Sequence, residues 1–155
     1  MNNHFQSEFQ NNSEESIGLS FIKVYNLWHK QIKTQLRQLE LTHPQFIVLA
    51  SLGYLSQKDN EVNQVSISKN CDIDVMTVST IVRNLEKMQL VIRENSINDT
   101  RSKIIRLTDL GQKKLAQSLP IVEEIDRYFF ECLGKERTTF NQLLLQLAAS
   151  HGIKI

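Results

Sequence analysis

Between Met76 and Lys87 the chain carries short hydroxyls, an amide and two cations at the spacing of one helix side. With Val78 at zero and about 100° per residue, Ile81, Val82 and Leu85 share an apolar stripe. Met76, Thr80, Arg83 and Lys87 fall opposite it, with Thr77, Ser79 and Asn84 at the flanks. Hydroxyl, amide and guanidinium groups on one helix face suit the base edges and phosphates of a duplex major groove. A second group follows in the polar loop 94–101, where Arg101 sits as the chain turns back and Asp99 lies two residues before it. A carboxylate at that distance can hold a guanidinium by paired hydrogen bonds and aim it, which suits an arginine entering a narrow minor groove.

Such groups need elements that hold them. Ser66 to Cys71 reads as a helix of about two turns capped by Ser66, and the turn Asp72-Ile73-Asp74 separates it from a stronger helix over about Val75 to Met88. Two helices joined by a tight turn are what a helix-turn-helix requires. Leu90 to Glu94 and Ser102 to Leu107 have strand propensity and flank a loop rich in turn formers, which makes a hairpin wing.

Upstream, Ile17, Phe21, Val24, Tyr25, Trp28, Ile32, Leu36 and Leu39 recur at helical spacing from about Ser13, giving one long amphipathic helix. Leu41-Thr42-His43-Pro44 ends it and starts another, with Thr42 or His43 as cap and Pro44 in the first turn, where its missing N–H costs nothing. Val62-Asn63-Gln64-Val65 has room for a very short strand. Downstream, Thr108 can cap a long helix that Pro120 is expected to bend and Gly134 to break, and Phe140, Leu143, Leu144, Leu147 and Ala148 line a last one. The fold class is therefore mainly α with a small β wing. A winged helix-turn-helix part over 41–110 lies within a single domain over 14–155, behind a mobile polar arm over 1–13.

Composition sets the outer limits. The 155 residues suit one compact domain, and 41% hydrophobic with 23% charged residues is ordinary for a globular protein. A net charge of +1 says little, but its distribution says more. Phe21 to Gln38 holds Lys23, Lys30, Lys33 and Arg37 with no acid, and Arg101 to Lys114 holds five basic residues against Asp109 alone. Acids gather near the start and in Glu123, Glu124, Asp126, Glu131 and Glu136, so one surface is basic and another acidic. Two cysteines make no disulfide framework, no basic start with an apolar run opens the chain, and no apolar run spans a bilayer. The expectation is a cytoplasmic protein without membrane contact. Scattered histidines, no CxxC pair and no glycine-rich phosphate loop lead to the expectation of no metal, no cofactor and no enzyme.

In its motifs the chain resembles the MarR group of winged-helix transcriptional regulators. Asp99, Arg101, Leu107, Thr108 and Gly111 match the wing pattern of that family. Thr77-Val78-Ser79 and Leu85-Glu86-Lys87-Met88-Gln89-Leu90-Val91 match its recognition helix, and Leu41-Thr42-His43-Pro44-Gln45-Phe46 matches the start of its second helix. Two positions depart: Gln89 stands where the family usually has Gly, which implies a left-handed residue, and Thr80 stands where a basic residue is common. The resemblance implies a homodimeric repressor of a pseudo-palindromic operator, its partners being double-stranded DNA and a second copy paired through helices over 14–40 and 111–155. The candidate DNA-binding residues are Ser66, Met76, Thr77, Ser79, Thr80, Arg83, Asn84, Lys87, Asp99, Arg101 and Lys103. A small aromatic or phenolic effector between the dimer helices and the winged unit is also implied, with Tyr25, Trp28, His29, Phe46 and Tyr54 as candidates. The alternatives are a winged helix used for protein contacts and a thiol-based redox sensor, although Cys71 and Cys132 read as packing residues.

Overall fold

The computed structural model describes residues 7–9, 12–96 and 102–153. Its helices are α1 (Ile17–Gln38), α2 (His43–Leu55), α3 (Gln64–Cys71), α4 (Val75–Lys87), α5 (Asp109–Phe129) and α6 (Arg137–Ser150). The strands β1 (Val91–Asn95) and β2 (Lys103–Leu107) lie between α4 and α5. The long first helix starts later than the periodicity suggests: a 3-10 turn over Ser13–Glu15 precedes it, and Ser16 caps it by accepting from the Leu19 N–H. The expected arm falls largely outside the described residues.

Local chemistry sets most boundaries. Thr42 is the cap of α2: its hydroxyl accepts from the Gln45 N–H, and Gln45 accepts from the Thr42 N–H, with Pro44 in the first turn. This reciprocal box satisfies two donors that would otherwise be orphaned. Ser66 is not the cap of α3. The helix begins a turn earlier behind Asn63, and Ser66 completes the box from the N3 position. The cause is that Asn63 has both an extended backbone and an amide oxygen within reach of the Ser66 N–H. Asp72, left-handed at φ 52, ends α3, and the Asp74 carboxylate caps α4 through the Thr77 N–H. Helix α5 continues through Pro120. The turn over Glu131–Glu136 then contains Gly134 at φ 52, ψ −125, a conformation open to glycine and strained for other residues.

The strands pair antiparallel from Val91↔Leu107 to Asn95↔Lys103. The expected short strand near 62–65 is a single bridge, Asn63↔Ile104, with the Ile105 N–H donating to the Val62 carbonyl at 2.8 Å. Helix α2 is the centre of the molecule, with Phe46, Val48, Leu49 and Leu52 packed against Ile32 and Leu36 of α1 and Val78, Val82 and Leu85 of α4. Other apolar faces find no cover among the described residues. Ile17 and Phe21 on α1 are 85% and 58% exposed, and Leu143 and Leu147 on α6 are 58% and 57% exposed. Among the described residues no helix is long and apolar enough to cross a membrane.

Candidate nucleic-acid interface

Helix α4 presents the face that the sequence implies. Val78, Ile81, Val82 and Leu85 are buried, while Met76, Thr77, Thr80, Arg83, Asn84 and Lys87 are exposed and Ser79 is half-buried. Burying one stripe of an amphipathic helix against α2 leaves the opposite one to solvent. The hydrogen bonds then divide the exposed groups. The Thr77 hydroxyl donates to Asp74 Oδ2, and the bonds from Thr77 hold the Asp74 carboxyl below its ordinary range. Thr77 therefore offers a methyl group and acceptor lone pairs, its one donor being spent. Thr80 donates back to the Met76 carbonyl at 3.2 Å. Among the described residues neither Arg83 nor Lys87 is in an ion pair, so both cations are available to phosphates.

The cations of the wing are treated differently. Arg93 on β1 reaches Glu86 on α4 through Nε, at 2.9 Å, and Nη2, and this bond holds the Glu86 carboxyl below its usual range. Arg106 is paired with Glu94 across the sheet at 3.1 Å, and Lys103 donates to Asn95. The Arg93–Glu86 pair ties the wing to α4. At the other edge the Ser96 hydroxyl donates to Glu61 at 3.0 Å, tying the wing to the loop before α3. Asp99 and Arg101 lie outside the described residues. Ser66 is half-buried and its hydroxyl both donates to the Asn63 carbonyl and accepts from the Asn63 N–H, so it serves the start of α3.

Residues 30–118, more than half of the chain, match the family described as "Transcriptional regulator SarA/Rot". The chain belongs to the MarR/SarA-type family of winged-helix transcriptional regulators. The HTH-type transcriptional regulator YdcH of Bacillus subtilis (strain 168) is 33% identical over 116 residues, 75% of this chain and 79% of YdcH. The S. aureus MepR–DNA complex superposes with a TM-score of 0.78 at 25% identity, over 90% of this chain and 98% of MepR. Bordetella bronchiseptica BpsR, described as regulated in its DNA binding by 6-hydroxynicotinic acid, has the same fold at 23% identity and a TM-score of 0.78, over 88% of this chain and 95% of BpsR.

The MarR/SarA-type wing leads through Leu107 into Thr108 and Gly111, and the structure gives the last two a physical task. Gln89 lies at φ 60, left-handed, and lets β1 leave α4 sharply. The Thr108 hydroxyl donates to the Gln89 carbonyl at 2.6 Å and accepts from the Gly111 N–H, so one side chain caps α5 and pins the exit of α4. A Cβ on Gly111 would stand 1.9 Å from the Leu90 carbonyl oxygen, so only glycine allows α5 to cross there.

The effector candidates divide into three places. Tyr25 stacks on His29 with centroids 5.5 Å apart, and Trp28 meets the edge of His43 at 5.4 Å. The Trp28 indole donates to Asp126 on α5 at 2.7 Å. Tyr25 and Trp28 line an apolar cleft of about 250 Å3 with Phe130 and with Phe140 and Leu144 of α6. Phe46 is buried on the core face of α2 and Tyr54 lies on another surface, beside Lys58, so neither lines that cleft. His43, read from the sequence as a helix-start residue, is buried and joins this cluster. Burial, and then the neighbouring His29, push its pKa down, with Asp126 acting the other way. The sequence marked Phe140 only as a helix-lining residue and Asp126 only as one of the late acids, and it did not mark Phe130; their place beside Tyr25 and Trp28 depends on how α5 and α6 fold back. Cys71 is half-buried, whereas Cys132 is exposed on the turn after α5 and does not pack as expected.

Proposed function

We propose that this chain acts as a homodimeric repressor of a pseudo-palindromic operator, released by a small aromatic ligand. The observation that carries the reading is Arg83 and Lys87 on an exposed polar face of α4, neither of them in an ion pair among the described residues, beside a wing whose Arg93 and Arg106 are paired with Glu86 and Glu94. Phosphate contacts supply affinity and position, and base-edge contacts supply choice of sequence. Two copies joined through α1, α5 and α6 would present two such faces about one helical turn of DNA apart. The uncovered apolar residues of α1 and α6 support that pairing. The cleft beside Tyr25 and Trp28 supports the ligand, as does the BpsR fold, whose DNA binding responds to 6-hydroxynicotinic acid.

Selection from a random duplex library tests this. A palindromic consensus is expected, bound with an affinity that falls steeply with salt. Arg83→Ala and Lys87→Ala should each weaken binding by about 1–3 kcal/mol, and a variant losing a phosphate contact should lower the salt slope by about one. Salt-independent binding, or wild-type affinity in both variants, overturns the reading.

A further inference from the structure

We infer that Asp74 is a specificity-determining positioning residue: by taking the Thr77 hydroxyl proton, it makes the head of α4 a reader of an A·T pair that rejects guanine. The inference rests on the operator reading above and deepens it. Thr77 is exposed in the first turn of α4, three residues after Asp74. Asp74 Oδ1 accepts from the Thr77 N–H at 2.9 Å, and Oδ2 accepts from the Thr77 hydroxyl. The bonds from Thr77 keep the carboxyl below its ordinary range, so at neutral pH it is ionised and has no proton to give. The direction of the hydroxyl bond is thereby fixed, with Thr77 as donor. Among the described residues no ion pair competes with Thr77 for Asp74.

What Thr77 then brings to the groove is lone pairs and a methyl group. In the major groove adenine shows its N6 amine and thymine its C5 methyl, so an A·T pair meets both. A G·C pair offers the cytosine N4 amine but no methyl, and it sets the O6 and N7 acceptors of guanine against lone pairs. The neighbours of Thr77 are of the same kind. The Thr80 hydroxyl, a turn further on, is directed back to the Met76 carbonyl at 3.2 Å. Met76 itself is 76% exposed, and thymine methyls are apolar surface for it to cover. From Asp74 onward the first side-chain nitrogens on α4 are those of Arg83, followed by Asn84 and Lys87. The helix face is therefore polarised, with methyl groups and acceptors at its head and cations at its tail.

The full chain and its variants Thr77→Ser, Thr77→Val and Asp74→Asn are put through selection from a random duplex library, and affinities for single-base variants of the selected duplex are then compared. The position read by Thr77 is the one whose base preference changes in Thr77→Ser. Wild type should select an A·T pair there and bind about fivefold more weakly with G·C, the low end of what a well-placed base contact gives. Replacing that thymine by deoxyuracil removes only the methyl and should weaken wild type about threefold, the scale of one buried methyl group. Thr77→Ser, without a methyl, should lose this penalty, and Thr77→Val should keep it. Asparagine caps a helix as well as aspartate does, so Asp74→Asn should leave the urea midpoint unchanged. Its amide oxygen can take the Thr77 N–H while its amine donates to the hydroxyl, which frees the Thr77 proton for guanine. The preference for A·T over G·C should then fall about threefold or more. Loss of a negative charge beside DNA raises affinity for both duplexes alike, so the ratio is the quantity read. In a Thr77→Val background Asp74→Asn should leave the ratio unchanged, because no hydroxyl is left to turn. A selected consensus with G·C at that position, no position altered by Thr77→Ser, or a wild-type ratio in Asp74→Asn overturns the inference and leaves the operator reading standing. Failure to select any sequence overturns both.

Discussion

Gln89 holds a left-handed backbone at φ 60 at the exit of α4. A side chain there costs about 1–2 kcal/mol, and glycine returns about 0.5–1 kcal/mol of that through its freedom in the unfolded chain. Gln89→Gly should therefore raise stability by up to about 1.5 kcal/mol, seen as a higher urea midpoint with an unchanged slope; a lower midpoint refutes the strain. His43 has the opposite character, a good conformation with a burial problem. Its pKa lies below the ordinary histidine value, so below about pH 6.5 the unfolded chain takes a proton that the native state resists. The native state accordingly loses stability as pH falls through that range and keeps it above. His43→Gln removes the titration, so urea midpoints measured from about pH 7.5 to 5 should fall less steeply than in wild type. Parallel slopes would contradict this. The strain at Gln89 was legible in the sequence, through the departure from glycine. The partners of His43 were not, because His29 and Asp126 reach it only after three helices have packed.

At the scale of elements, the caps are what the residues dictate: Thr42 with Gln45, Asn63 with Ser66, Asp74 with Thr77 and Thr108 with Gly111. Each lies within three residues of its partner, so local sequence suffices, and Asn63 was missed only because Ser66 is itself a good capping residue. The crossing of α5 over the start of β1 is a different kind of constraint. A Cβ at Gly111 would overlap the Leu90 carbonyl, and this neighbour is backbone that cannot swing away. Gly111→Ala should cost about 3 kcal/mol, at the upper end of overpacking, measured by chemical denaturation. Stability near wild type would mean that α5 can shift outward at little cost. The pairing of Arg93 with Glu86 belongs to this scale too, since it fixes the angle between wing and recognition helix.

At the scale of the molecule, α1 and α6 expose more apolar surface than the winged part can cover. Leu143 and Leu147 stand one turn apart on α6 and face away from this chain's core. If a second copy covers them, Leu143→Glu/Leu147→Glu should convert a dimer to a monomer in sedimentation while leaving helix content unchanged. A dimer that persists would move the interface elsewhere. Both residues are exposed in the single chain, so loss of folding is not the expected route to a changed mass.

The sequence by itself determined the helices, the hairpin, the exposed face of α4 and the family, because caps, periodicity and turn residues act over a few positions. Only the tertiary structure decided which cations are free. Among the described residues Arg83 and Lys87 have no ion pair while Arg93 and Arg106 are neutralised, and no spacing rule tells these pairs apart. It also joined Tyr25, Trp28 and His29 to His43 and Asp126 and set Phe46 and Tyr54 apart from them. The physical reason is the same in each case: such contacts are made between elements distant in the chain, and the angles at which those elements pack set them.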